Sequence, residues 1–304
     1  MKKILILNIL FALMFSVAAL AQDEQKDEDE ETEEPVEFMV PQNSFVKRTV
    51  VKNKKPMEYA YVSEDDAFWQ TVIWRIIDCR EKMNYPLYYP TVELDTRKSL
   101  IQTLVAGIQK KRIQAYAGDD DNFKTKLTPE EVMTKFDAGD KVIKTEKIDG
   151  TGDTTYIVKN SINWQEVREF MLKEEWFFDK KRSVMEVRIL GICPIRVYNK
   201  MINTGGEEEA VGQEVRTRLF WVYFPEARRV LANTICYTGR NELANISYDD
   251  LMHKRRFASR IIAESNNLND RRITDYVRNG IEAVMESDRI QYELLKRESD
   301  HWEY

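Results

Sequence analysis

The first long block of hydrophobic and polar positions, residues 65–90, has the spacing of an amphipathic helix. Apolar side chains recur there every three or four residues, which places them along one side of a helix. They are Phe68, Val72, Ile76, Cys79 and Met83. Ser63 is a suitable N-cap, and Pro86 and Pro90 prevent the helix from continuing. We therefore predict a core helix followed by an aromatic, proline-rich exit.

The rest of the chain alternates between helical and strand patterns. Helical spacing is found in residues 96–116, 128–139, 164–175, 225–231, 247–264 and 270–299. Strand-like alternation is found in residues 141–160, as a hairpin with a glycine turn, and in residues 184–197 and 215–224. A kink is expected at Gly191 or Pro194. The order predicts an α+β fold with N-terminal helices, a central antiparallel sheet and C-terminal helices.

The N-terminus has the features of a secretory signal peptide. Lys2 and Lys3 precede an apolar run, and Ala19 and Ala21 form a small-residue cleavage site. We predict a signal peptide at residues 1–21, removed to leave Gln22 as the first residue. An uncleaved anchor is the alternative, but the run is short for a membrane span. No cysteine follows it to be acylated, and no other run has the length of a span.

The negative charge of the chain is concentrated in one segment. The net charge is −6, and residues 23–37 alone hold ten acidic side chains and one lysine. The folded body is nearly neutral, which argues against a general nucleic-acid binder. Residues 22–37 are expected to be a disordered acidic leader, either a solubilising tail or a tether to a basic partner. Residues 38–62 are expected to form an extended arm, and residues 63–304 the folded body, with a sub-boundary near residue 140.

Few residues suit catalysis or metal binding. His253 and His301 are the two histidines and lie near no cysteine cluster, so we expect neither metal nor cofactor. Cys79 is expected to be a small buried hydrophobe, whereas a Cys193–Cys236 disulfide stays an open alternative. The sequence has no Gly-x-Ser-x-Gly motif, so the nucleophile of an α/β-hydrolase is not indicated. A catalytic pair of carboxylates, of the kind that glycosidases use, stays an open alternative because the chain holds 52 acidic residues.

Aromatic residues and arginines lie close together in several blocks. These residue types are enriched at the centres of protein interfaces, although ordinary core packing accounts for most aromatic side chains. Six residues are our candidates for contact with a partner protein: Trp74, Arg75, Arg80, Trp176, Arg255 and Arg256.

Four blocks of the sequence resemble the GldN/PorN family of gliding-motility proteins. The most specific begins Phe-Trp-Gln-Thr-Val-Ile-Trp at residue 68 and ends at Thr91. The others are residues 174–192, 219–231 and 247–270, which occur in the order found in the family. Cys79 and His253 depart from the family pattern, and the acidic leader lies outside it.

The resemblance implies a structural component of the type IX secretion system rather than an enzyme. Members of the family are periplasmic and form large rings with an outer-membrane lipoprotein of the GldK/PorK type. They also contact the periplasmic part of an inner-membrane protein of the GldM/PorM type, and support secretion and gliding. The resemblance supplies no catalytic residues. A periplasmic hydrolase using a carboxylate pair and a cell-wall-binding module are the alternatives.

Overall fold

A computed structural model describes residues 54–94, 97–137, 139–146, 153–204, 207–239 and 246–300. Its strands are β1 (Ala67–Asp78), β2 (Ala115–Ala117), β3 (Lys126–Leu127), β4 (Gly139–Glu146), β5 (Asp153–Asn160), β6 (Val167–Asp179), β7 (Val184–Thr204), β8 (Glu207–Arg218), β9 (Phe220–Tyr223) and β10 (Arg260–Glu264). Its helices are α1 (Tyr85–Tyr88), α2 (Leu100–Gln109), α3 (Pro129–Lys135), α4 (Phe224–Ala232), α5 (Tyr248–His253), α6 (Ile273–Tyr276) and α7 (Gly280–Asp300). The α+β prediction is confirmed.

Eight of these strands form one antiparallel sheet. Its order is β10-β1-β6-β7-β9-β2-β3, and β8 pairs with the second half of β7. β4 and β5 form a separate hairpin, as the glycine turn between them predicts. The predicted signal peptide, the leader and most of the arm lie outside the described residues. The expected sub-boundary near residue 140 stays a prediction.

The helix predicted for residues 65–90 is wrong, because β1 occupies most of that stretch. β1 lies between β10 and β6 and is rich in the β-branched and aromatic residues that favour strands. A central strand covered on both faces is apolar at both odd and even positions, so its pattern mimics helical spacing. Phe68 and Met83, assigned to the helix stripe, are instead more than half exposed.

Two further helix predictions are corrected for the same reason. The stretch 164–175 is largely β6, whose thirteen-residue length has only two positions that are not buried. The stretch 247–264 begins as α5 but ends as β10. Helices with a clear N-terminal signal are confirmed at Thr128 and Ser247, which form capping boxes at the start of α3 and α5. The helix predicted for residues 96–116 is shorter than expected, because α2 covers only Leu100–Gln109 and Ala115 already belongs to β2.

The sheet has one face covered by helices and a second face, which we name the open face, on which the 119–123 loop packs. On the covered face, Ile77, Phe170 and Leu172 pack with apolar residues of α2, α4 and α5 in the largest core cluster. On the open face, Trp74, Met171, Cys193, Ile195 and Trp221 form a smaller cluster, to which no described helix contributes. α7 covers the end of the sheet at β10, where Ile290 and Leu294 pack with Ile73 and Ile261.

A bulge in β7 accounts for the expected kink at Gly191. Gly191 pairs with Lys173 and Ile189 pairs with Glu174, so Leu190 has no partner on β6. A Cβ atom at Gly191 would lie 2.7 Å from the Phe123 ring, closer than van der Waals contact allows. The glycine therefore permits the 119–123 loop to pack on the open face, and the bulge changes the register beside Glu174.

Candidate functional site

Three of the six candidate interface residues converge on one buried carboxylate, that of Glu174. Glu174 is fully buried in β6. Arg75 donates from Nε to Glu174 Oε2 at 3.0 Å, and Arg255 donates from Nη1 and Nη2 to the two oxygens at 2.8 and 3.1 Å. Trp176 donates from Nε1 to Oε2 at 3.1 Å. We name these four residues the Glu174 cluster.

The Glu174 cluster connects distant parts of the chain. Arg75 lies on β1 and also donates from Nη2 to Gln291 Oε1 of α7 at 2.7 Å. Arg255 follows α5 with a left-handed φ of 51°, a conformation that costs a non-glycine residue energy. Both guanidinium groups lie over the Trp176 ring, 5.5 and 5.4 Å from its centre. Burial lowers the pKa of Arg75, whereas Glu174 acts in the opposite direction. The cluster holds the fold together internally.

Trp74 occupies a second internal cluster, on the open face. Its Nε1 donates to Asp121 Oδ2 at 3.1 Å, and Lys173 Nζ donates to the Asp121 carbonyl at 3.0 Å. Asp120 accepts backbone N–H groups of Asn122, Lys124 and Thr125. Asp120 and Asp121 therefore lie in a turn in which protein groups donate to both carboxylates.

Arg80 and Arg256 are the exposed members of the six candidates. Arg80 forms an ion pair with Asp78 at 2.8 Å, and 61% of its side chain is accessible. Arg256 follows α5 and is also exposed. Trp74, Arg75 and Trp176 are buried, and Arg255 is half-buried. Contact of any of the six with a partner stays a prediction, and these two arginines are the ones a partner can reach directly.

The described end of the predicted arm, residues 54–62, lies on the folded body of the same chain. We name it the strap. Arg228 of α4 forms a buried ion pair with Asp249, at 2.8 and 3.2 Å, and donates to the Met57 carbonyl at 2.5 Å. The Tyr59 ring contacts the guanidinium groups of Arg228 and Arg188, at 4.2 and 5.1 Å. Burial raises the pKa of Tyr59. Lys54 also pairs with Asp250.

A cleft lined by arginines lies beside the sheet and α7, and the sequence patterns above do not predict it. A cavity of about 530 Å³ is lined by Arg216, Arg218, Arg260 and Arg272, by Ile76 and Met171 of the sheet, and by residues of α7 that include Val284 and Asp288. Buried Glu169 lines it, 3.5 Å from Arg216, and its Oε2 has no hydrogen-bond partner among the described residues. The alternation Arg216-Thr217-Arg218 was a usable signal, because a strand places both arginines on one face.

The three cysteines are free and buried. A Cys193–Cys236 disulfide is therefore absent, and Cys79 is the buried hydrophobe that its position predicts. Burial raises the pKa of each thiol to about 12.

We expect none of the three thiols to react with a thiol-specific reagent at pH 8 in the folded protein. A raised pKa keeps the thiolate fraction very small, and burial blocks access to the sulfur. All three should react rapidly when the protein is unfolded in guanidinium chloride. Mass spectrometry of alkylated protein counts the modified sites, and rapid labelling of any cysteine in the native state would contradict the structure.

Within the described part of the chain, no group of three or more His, Cys, Asp or Glu side chains is arranged to hold a metal ion. No helix among the described residues has the length and apolar character needed to cross a membrane.

The fold and these sites define an α+β protein whose charged residues form internal clusters and an arginine-rich surface. Residues 62–303 match the family described as "Gliding motility associated protein GldN". Because the match covers most of the chain, this protein belongs to the GldN family. No curated protein sequence matches the chain.

Proposed function

We propose that the protein is a non-catalytic periplasmic component of the type IX secretion system. It assembles with an outer-membrane lipoprotein of the GldK/PorK type into a ring and contacts an inner-membrane protein of the GldM/PorM type. The observation that carries this proposal is the GldN family match over residues 62–303. The predicted signal peptide supports export to the periplasm.

The charged surface supports a role in assembly. Arg256 and the cleft arginines present guanidinium groups, a group that pairs bidentately with carboxylates, and Arg80 already forms such a pair with Asp78 at the surface. Buried polar groups such as the Glu174 cluster hold the sheet and α7 in one arrangement, as a subunit that repeats within a ring requires. The ring itself requires two different faces on each subunit, because only head-to-tail contacts close a circle.

Co-purification with the lipoprotein tests this proposal. Tagged lipoprotein, produced in the same cells, should retain the wild-type chain in ring-sized particles visible by electron microscopy. Arg80→Glu combined with Arg256→Glu is expected to weaken retention at least about thirtyfold, since arginines that anchor an interface contribute more than about 1 kcal/mol each. Circular dichroism should remain unchanged, because both side chains are exposed.

Arg229→Glu is the matched control, because Arg229 is an exposed arginine on α4 that is not one of the six candidates. It should leave retention unchanged. A wild-type chain that never co-purifies with the lipoprotein and stays monomeric would refute the ring proposal. Normal retention of the double variant would refute the assignment of Arg80 and Arg256 alone.

A further inference from the structure

Helix α7 carries a second apolar stripe on the side that faces solvent. Its inner side is buried through Ser287, Ile290 and Leu294. Its outer side shows apolar side chains that are between 51% and 67% exposed, and we name these residues the outer stripe: Ile281, Val284, Met285, Tyr292 and Leu295. At 100° per residue, the centres of the two sides lie roughly 150° apart around the helix.

The outer stripe has the spacing of a helix–helix interface. Ile281, Met285, Asp288, Tyr292 and Leu295 follow one another at intervals of four, three, four and three residues. This is the repeat of a coiled-coil seam, in which each apolar side chain packs between residues of a facing helix. A surface helix needs only its inner stripe to pack on its own domain, and contiguous exposed apolar patches mark interaction sites.

We propose that the outer stripe is a self-association surface, on which α7 of a second copy of this chain packs in the antiparallel direction. The argument for a second copy is charge complementarity along the edge of the stripe. Glu282 lies on this edge near the start of the helix, and Lys296 lies on the same edge near its end. Antiparallel pairing therefore brings Glu282 of each copy beside Lys296 of the other, twice per dimer.

The same antiparallel alignment of the two helices also places complementary residues of the seam side by side. Met285 packs against Leu295 of the second copy, and Asp288 lies beside its Tyr292, whose hydroxyl is a donor for that carboxylate. Arg289 lies near the two-fold axis. It already pairs with Glu286 at 2.6 Å and with Glu293 on its own helix, so the repulsion between the two copies of Arg289 is offset.

This association is independent of the secretion function proposed above, because it uses only copies of the chain itself. A two-fold contact joins two copies and goes no further. It therefore supplies a pairwise contact that is separate from the head-to-tail contacts of a ring.

Sedimentation velocity of the purified full chain, over a range of concentrations, tests the proposal. We expect a monomer–dimer equilibrium that Met285→Lys combined with Leu295→Lys weakens at least about tenfold. Leu268→Lys is the matched control, since Leu268 is as exposed as Leu295 but lies outside α7, and it should leave the equilibrium unchanged. A wild-type chain that stays monomeric at about 100 µM, or a dimer insensitive to the double variant, would overturn the proposal.

A charge exchange tests the direction of pairing. Glu282→Lys and Lys296→Glu should each weaken the dimer, because each places like charges together. The two substitutions combined should restore it, since the antiparallel contacts are formed again with the signs reversed. Circular dichroism checks that all variants are folded. Failure of the combined variant to recover would overturn the antiparallel arrangement.

Discussion

Replacing Glu174 with alanine is expected to lower the free energy of unfolding by about 3–5 kcal/mol, the loss measured when one partner of a buried ion pair is removed. Glu174 is fully buried and accepts hydrogen bonds from Arg75, Arg255 and Trp176. Without it, the Arg75 guanidinium stays buried beside the positive charge of Arg255. Urea unfolding followed by tryptophan fluorescence measures the change.

Glu175→Ala is the matched control for this prediction. Glu175 is the next residue of β6, so its side chain points to the opposite face, where it accepts a hydrogen bond from exposed Gln70. Its removal should cost less than about 1 kcal/mol, because a solvated side chain leaves no buried charge unpaired. Equal losses for the two variants would contradict the special role of the Glu174 cluster.

Replacing Arg228 with alanine is expected to destabilise the fold by about 3 kcal/mol and to release the strap. Arg228 and Asp249 are both buried, so the substitution leaves the Asp249 carboxylate without its cation. It also removes the hydrogen bond to the Met57 carbonyl and the contact with the Tyr59 ring. Relative to the wild type, hydrogen–deuterium exchange should therefore accelerate more in residues 54–62 than in β6 or β7.

Arg229→Ala separates the loss of this contact from a general effect on α4. Arg229 is the neighbouring arginine on the same helix, and its side chain is exposed. We expect a change in unfolding free energy below about 0.5 kcal/mol, which is usual for surface substitutions. Exchange in residues 54–62 should stay as it is in the wild type. Rapid exchange in both variants would show that Arg228 does not hold the strap.

Local signals in the sequence predicted the helices with caps and the strands with turns. Thr128 followed by Pro129 and Glu131 satisfies the first N–H groups of a helix whatever surrounds it, and α3 begins there. The hairpin of β4 and β5 follows from strand alternation around a glycine turn. These features depend on neighbouring residues alone, so no tertiary information was needed.

β1 and β6 were mistaken for helices because their burial depends on residues far away in the sequence. Ile73 and Ile77 point to the helix-covered face and Trp74 to the open face, and both faces are buried only once the other strands and helices are in place. Their apolar residues therefore do not alternate, and spacing alone gives no period of two. β-branched and aromatic enrichment was the signal that distinguished them.

The prediction of interface residues from sequence is limited in a related way. Trp74, Arg75 and Trp176 are candidates because tryptophan and arginine are enriched at interface centres, and because charged neighbours in sequence make burial of the two tryptophans difficult. The structure resolves this difficulty by pairing the charges: Arg75 with Glu174, and Lys173 with Asp121 beside Trp74. Sequence composition cannot distinguish an arginine that meets a carboxylate inside the fold from one that meets a partner. The outer stripe was likewise missed, because both sides of α7 are apolar and exposure decides between them.

The position of β1 between β6 and β10 also determines when the sheet can be completed. β1 is the first strand of the sheet along the chain, and β10 is its last. Pairing between segments so far apart closes long loops and makes folding slow. A fragment that ends before Arg260 leaves one edge of β1 unpaired and open to aggregation. Nearly the whole chain must therefore be present before the sheet is complete, which suits the export of an unfolded chain that we propose.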